Sequence, residues 1–203
     1  MNHFNDRPTL FLALLPLLFS CASSNLGRSW VAPDAGGTAF TKIGIVALTN
    51  QEVYRREAEY ALQQELGERG LSSYMVLPEL NSLRDTAQVV AKLKEAGCDG
   101  IVTLQLKSGN VMPDTKAAPT TTSSYGAVAD DYWVDPSAQQ VEGFASGQYF
   151  SVEVHVFDLA KRKMVYNGLV IEQGARSTAD LVRMVRRDVM NDLKKKGLVT
   201  SKP

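Results

Sequence analysis

Apolar and polar residues recur with two different periods along this chain, and these periods predict both strands and helices. A continuous apolar run at residues 42–48 is typical of a buried strand, and the stretch that follows, to about residue 69, places its apolar residues on one helical face. A second strand is predicted at about 72–77, a helix with Asp85 as its N-cap, and a third strand at 101–106. This order of strands and helices predicts an α/β fold with at least partly parallel pairing.

A regular pattern resumes after residue 148. Valines there alternate with polar residues, which predicts a half-buried strand, and residues 163–173 are predicted to return as its hairpin partner. Ser177 is a predicted N-cap for a last helix that runs to about residue 196. The predicted fold is therefore α/β, a mixed sheet with a βαβαβ first half, a long loop, a β-hairpin and a C-terminal helix. We expect a single domain at 41–203.

The start of the first helix has the sequence of a capping box. Thr49 and Glu52 are spaced so that a hydroxyl and a carboxylate satisfy orphan backbone amides reciprocally. Leu48 and Val53 flank them as a predicted hydrophobic staple.

Two adjacent arginines, Arg55 and Arg56, follow close to this helix start. Positive charge there opposes the helix dipole, and Glu52 and Glu59 can offset it. We therefore expect both arginines on a solvated face. The last helix is also basic, and it is expected to have a solvated outer face, with contact to anionic glycan or lipid head groups as the alternative.

Residues 109–147 follow neither the apolar pattern of a strand nor that of a helix. The usual connection is about 4–6 residues long, so a segment of this length is either functional or disordered. Tyr125, Tyr132, Trp133 and Phe144 are spaced through it, and aromatic residues are enriched at binding hot spots. Two interpretations stay open: these side chains dock on a partner, or they pack on the domain's own sheet.

The N-terminal region carries an apolar run at residues 10–19. It is too short for a spanning helix, which needs about 20 residues, and is typical of a secretory signal. The sequence Leu18-Phe19-Ser20-Cys21 that ends it resembles the lipobox of bacterial lipoproteins. The alternative is an ordinary cleaved signal that happens to contain a cysteine.

The lipobox resemblance implies that Cys21 is the site of lipid attachment. The chain would be cut before this cysteine, which removes residues 1–20 as a signal peptide and leaves 21–40 as a tether. Ala22, a residue other than Asp after the cysteine, implies sorting to the periplasmic face of the outer membrane. Each buried methylene of the acyl chains contributes roughly 0.8 kcal/mol, so several chains form a stable membrane anchor.

Composition narrows the possible partners. Lys plus Arg and Asp plus Glu are 22 each, so the net charge is zero and gives no attraction to nucleic acid. The two cysteines, Cys21 and Cys98, lie in very different contexts, and we expect no bridge between them.

The residues give little support for catalysis or a cofactor. The turn at 47–51 has no glycine to admit a phosphate, and His155, on the more polar side of its strand, is expected to be a surface residue. The aspartates at 130–135 fit no calcium-loop spacing. Cys98 is expected to be a small buried hydrophobe. We therefore predict no metal, no cofactor and no enzyme activity.

Several segments resemble a widespread group of uncharacterised bacterial outer-membrane lipoproteins that is defined by a domain of unknown function. The similarity covers roughly residues 28–172. The segments that carry it are Trp30-x-x-Pro33, KIGIVAL at 42–48, RRxAE at 55–59, LxxEL at 62–66 and AGCDGIVTLQL at 96–106. The resemblance implies an outer-membrane lipoprotein with a periplasmic α/β domain, and it assigns no catalytic residue. The element order is also similar, more loosely, to lipoproteins that activate cell-wall synthases or build secretion pores.

Together these observations predict a lipid-anchored, non-catalytic binding or assembly factor of the cell envelope. Its expected partners are the membrane, through the anchor, and an envelope protein or glycan. The alternatives are an envelope hydrolase acting on glycan, or a subunit of a secretion or transport assembly.

Overall fold

The structure, a computed structural model, describes residues 26–35, 39–109 and 148–200, with side chains described for all of these except 107–109. These residues form a six-stranded mixed sheet and three α-helices, which confirms the predicted α/β fold. The elements are β1 (Leu26–Val31), β2 (Ile43–Leu48), α1 (Glu52–Leu66), β3 (Gly70–Ser72), α2 (Thr86–Glu95), β4 (Gly100–Gly109), β5 (Tyr149–Asp158), β6 (Lys163–Gln173) and α3 (Thr178–Lys195). Short 3₁₀ helices lie at Gly67–Arg69, Ser73–Met75 and Leu80–Arg84.

The strand order in the sheet is β1-β6-β5-β4-β2-β3. β2 pairs in parallel with both β3 and β4, as expected where a helix connects successive strands. The β4–β5, β5–β6 and β6–β1 pairs are antiparallel, and the predicted β5–β6 hairpin is confirmed. Edge strand β1 lies within residues 21–40, the predicted tether.

Helices lie on both faces of this sheet. On one face, α1 and α3 pack against each other and over the strands, and they enclose the larger core with residues such as Leu62, Val154 and Val189. On the other face, α2 and the Leu80–Arg84 turn cover β2 and β4, where Leu93 and Ile101 are fully buried.

Helix α3 is fixed to the sheet by a buried hydrogen bond. The Tyr166 hydroxyl donates to Asp192 Oδ2 at 2.8 Å. The Tyr166 ring lies across Gly168, where a Cβ atom would collide with it, so only glycine leaves room for this contact. Burial, together with the neighbouring Asp192 carboxylate, raises the pKa of the Tyr166 hydroxyl well above its ordinary value. The phenol therefore stays a hydrogen-bond donor across the physiological range.

Two of the three predicted helix caps are confirmed. Asp85 Oδ1 accepts from the Gln88 amide at 3.0 Å, and Ser177 Oγ accepts from the Asp180 amide at 3.2 Å. Each satisfies one of the orphan donors at a helix start.

The predicted capping box of α1 is wrong. Its N-cap is Gln51, which makes no side-chain cap hydrogen bond, and Val53 is 64% exposed, so there is no staple. The Glu52 carboxylate turns forward instead and accepts from Arg56 Nε at 2.7 Å. Thr49 Oγ1 accepts only a long bond, 3.3 Å, from the Gln51 amide.

The predicted strand at 72–77 is also wrong over most of its length. β3 ends at Ser72, and a 3₁₀ helix follows at Ser73–Met75. The Ser73 hydroxyl and the Tyr74 amide both donate to the Glu59 carboxylate, which turns the chain out of the strand.

Candidate functional site

An apolar cleft lies between α1 and α3, at the end of the sheet where β2 and β4 finish. Its internal volume is about 80 Å³. The described floor residues are Ala47, Leu104, Leu106 and Val152; the α1 wall holds Tyr54, Ala58 and Leu62; and the α3 wall holds Thr178, Leu181, Val182 and Val185. The carboxyl ends of strands in an α/β sheet are the usual place for ligands in such folds.

Small residues on facing elements leave this space open. Ala47 on β2 and Ala58 on α1 carry one methyl group each where neighbouring positions on the same elements hold leucine, valine or tyrosine. Protein interiors are otherwise packed as densely as organic crystals, so unfilled apolar space is an exception. The cleft therefore follows from the choice of alanine at two positions.

The chemistry of the cleft is that of a binding surface. Its polar side chains are those of Thr49, Tyr54 and Thr178, and their hydroxyl groups can donate or accept hydrogen bonds. The described residues that line it include no carboxylate, imidazole or thiol. The cleft can bury an apolar group and orient a neutral polar one, and its lining supplies no acid–base pair.

A buried polar network occupies the opposite flank of α1. Arg55 and Glu59 are both fully buried, and Arg55 Nε donates to Glu59 Oε1 at 3.2 Å. Arg55 Nη2 also donates to Ser73 Oγ at 2.9 Å and to the Leu77 carbonyl at 2.7 Å. This flank therefore ties the helix to the chain that follows β3.

Four donors converge on the Glu59 carboxylate. Besides Arg55 and the Ser73 hydroxyl at 2.7 Å, it accepts from the Ala47 amide at 3.0 Å and the Tyr74 amide at 3.1 Å. Burial raises the pKa of Glu59 above its ordinary value, while the Arg55 charge and the three other donors oppose that rise. Because its partners are all within the protein, we assign the network a structural role.

The prediction that Arg55 lies on a solvated face is therefore wrong. The inward side of α1 holds four buried residues at intervals of four, three and four residues: Arg55, Glu59, Leu62 and Leu66. This helical stripe could have been found in the sequence by treating an i,i+4 Arg–Glu pair as one neutral unit. Arg56 is half exposed, as expected, and its guanidinium lies 5.3 Å from the centre of the Tyr74 ring.

The predicted surface position of His155 is wrong as well. The side chain is buried, with Nδ1 3.5 Å from Thr103 Oγ1, because β5 is an interior strand with both faces covered along much of its length.

The prediction for Cys98 is confirmed. It is buried, and this raises the pKa of its thiol to about 11, so it is a poor nucleophile.

The predicted site residues lie in other parts of the chain. Cys21, Tyr125, Tyr132, Trp133 and Phe144 all lie outside the described residues. Among the residues that are described, no group of three or more His, Cys, Asp or Glu is placed to hold a metal ion. Within that same part of the chain, no helix has the length and apolar character needed to cross a membrane.

The chain matches no protein-family model and no curated protein sequence. Among solved structures, it is similar to the PelC dodecamer from Paraburkholderia phytofirmans. A crystal form in space group P6 gives a TM-score of 0.45 at 7% identity, over 86% of this chain and 97% of that chain. A point variant of the same dodecamer in space group C2 gives a TM-score of 0.44 at 7% identity, with the same coverage.

Proposed function

We propose that this protein is a lipid-anchored, non-catalytic binding factor of the cell envelope, and that it holds an apolar group of its partner in the cleft between α1 and α3. The observation that carries the proposal is the unfilled apolar space beside Ala47 and Ala58. Apolar surface in contact with water is stabilised by burial, at roughly 25 cal/mol per Å². A partner that fills the cleft gains this contribution without rearranging the core.

The lining of the cleft favours binding over hydrolysis. Glycan hydrolysis ordinarily needs two carboxyl groups facing one another across the substrate. The described lining offers the hydroxyl groups of Thr49, Tyr54 and Thr178 instead. These can orient a bound group, and a binding factor needs no more than that.

The anchor completes the proposed role. Acylation of Cys21 would hold the domain at a membrane surface and so raise its local concentration near envelope partners. Metabolic labelling with a fatty-acid analogue should mark the wild-type chain and leave Cys21→Ser unmarked. Equal labelling of the two proteins would contradict the anchor.

The binding role is tested by photo-crosslinking in cells with the full-length chain. Tyr54 lines the cleft, whereas Tyr60 on the same helix is 54% exposed and does not. A benzoylphenylalanine at position 54 should capture one discrete envelope component, and the same group at position 60 should not. Ala58→Leu, which fills the cleft, should abolish the capture from position 54.

Two results would contradict the binding role. One is equal capture from positions 54 and 60, which would indicate nonspecific proximity. The other is capture from position 54 that persists when Ala58→Leu fills the cleft, because the contact would then lie outside it.

A further inference from the structure

We propose that the group held in the cleft is the end of a phospholipid acyl chain from the membrane that carries the protein. The inference rests on the proposed function, and it names the class of ligand that the cleft takes. It is carried by two observations: the register of the sheet, which places the cleft floor in line with Leu26, the first described residue after Cys21, and the small apolar interior of the cleft.

The register aligns the cleft floor with the first described residue of the chain. Leu106 pairs with Val152, Val152 with Val170, and Val170 with Leu26, so these four residues form one row across the sheet. Neighbouring strands are about 4.8 Å apart, which places Leu26 about 10 Å from Val152. Leu26 also packs against the same core as the cleft floor. The chain therefore leaves toward its N-terminus from the end of the sheet where the cleft lies.

The short distance in sequence keeps this end of the domain close to the anchor. Cys21 precedes Leu26 by five residues (26 minus 21), and five residues span at most about 18 Å when fully extended. A lipid on Cys21 would then hold this end of the sheet within about 18 Å of the membrane surface. The acyl chains of that membrane would then be the nearest large apolar phase to the cleft.

The dimensions of the cleft favour an aliphatic chain over a ring. A cavity of about 150 Å³ lined by aliphatic residues is large enough for benzene, and the volume here is about half of that. A linear chain is narrower than a ring and can enter end-on between α1 and α3.

The test uses cells grown on a fatty acid that carries a diazirine near its methyl end, which they incorporate into phospholipid. After irradiation, the full-length protein is isolated with its own anchor, and mass spectrometry locates the adducts. We expect phospholipid adducts on the peptides that contain Tyr54 to Leu62 and Thr178 to Val185. Ala58→Leu should lower their yield by about tenfold or more, since it displaces three carbons of the bound chain.

Matched variants separate filling of the cleft from damage to the fold. Ala87→Leu places the same substitution on an exposed site of α2, and it should leave the adduct yield unchanged. Val182→Phe narrows the cleft from the α3 side, and it should lower the yield as Ala58→Leu does. All three variants are compared with wild type by thermal unfolding. If one cleft variant unfolds at a clearly lower temperature than wild type, the adduct yield of the other cleft variant decides the test.

The results that would contradict the lipid inference differ from those that would contradict the proposed function. An adduct yield that is the same in wild type, Ala58→Leu and Val182→Phe would overturn the inference. Adducts spread evenly over the protein surface would overturn it as well. Cleft peptides joined to the Cys21 peptide would show that the protein's own anchor occupies the cleft, which overturns the assignment to membrane lipid. Absence of cleft adducts, with Cys21 acylated and position 54 still capturing a protein or glycan, would overturn the inference and leave the proposed function standing. A chain without lipid on Cys21 would overturn the proposed function itself.

Discussion

The two flanks of helix α1 face the same sheet and differ in how completely they are filled. On the flank toward β3, Arg55 and Glu59 are fully buried, and the Glu59 carboxylate accepts four hydrogen bonds from within the protein. On the flank toward α3, Ala58 borders an open apolar cleft. One helix therefore presents a buried polar network on one side and unfilled apolar space on the other.

This difference separates a structural element from a candidate binding surface. Burying a charge is unfavourable unless it is paired and hydrogen-bonded, so the Arg55–Glu59 flank is stable only when every partner is in place. An apolar cleft carries no such requirement and can stay open until an apolar group enters. The buried charges are therefore accounted for by the fold, and the open apolar space is where we place the proposed binding surface.

The largest effect is expected from Arg55→Ala. Removal of the guanidinium leaves Glu59 buried without its ionic partner, and breaking a buried pair in this way costs about 3–5 kcal/mol. Denaturant unfolding should show this loss in the free energy of unfolding.

Arg56→Ala is the matched control for that substitution. Arg56 is the next residue on α1, its side chain is 56% exposed, and it pairs with Glu52. Exposed ion pairs contribute about 0–1 kcal/mol, so we expect a correspondingly small loss. Similar losses in the two variants would contradict the structural role of the buried flank.

Ser73→Ala is expected to have an effect smaller than that of Arg55→Ala and larger than that of Arg56→Ala. The Ser73 hydroxyl accepts from Arg55 and donates to Glu59, so its removal takes away two hydrogen bonds and leaves the ion pair in place. A loss of about 1–3 kcal/mol follows from leaving buried polar atoms without a partner. Because Ser73 and Arg55 share one network, the double variant Arg55→Ala/Ser73→Ala should lose less than the sum of the two single losses. Additive losses in that double-mutant cycle would show that the two residues act independently.

The hydrophobic periodicity of the sequence predicted most of the fold. It failed where a carboxylate forms hydrogen bonds with residues other than those of the predicted motif. The β5–β6 hairpin and the caps at Asp85 and Ser177 follow from local patterns, and the structure confirms them. The capping box of α1 and the strand predicted at 72–77 failed for a different reason. Glu52 pairs with Arg56 four residues along the same helix, which is a local alternative to the capping box. Glu59 accepts hydrogen bonds from Ser73 and Tyr74, and single-sequence patterns contain no information on such tertiary partners.

The cleft itself was not predictable from the sequence, because it depends on which elements become neighbours. Ala47 and Ala58 are ordinary residues in their own segments, and the open space arises when β2, α1 and α3 come together. The buried position of His155 is a similar case, since the alternating pattern of β5 gave no sign that both faces would be covered. The predicted sites at Cys21 and in 109–147 stay predictions.

The smallest change in stability is expected from Ala58→Leu, the substitution that should most strongly affect binding. Leucine adds three carbons to a half-buried position beside open space, so burial of the new side chain is favourable. Some crowding against Leu62 and Val185 opposes that gain, as in other small-to-large changes. We expect the free energy of unfolding to change by less than about 1 kcal/mol, with an unchanged denaturant dependence. A loss close to that of Arg55→Ala would show that the space is already filled in solution, and the contrast between the two flanks of α1 would then disappear.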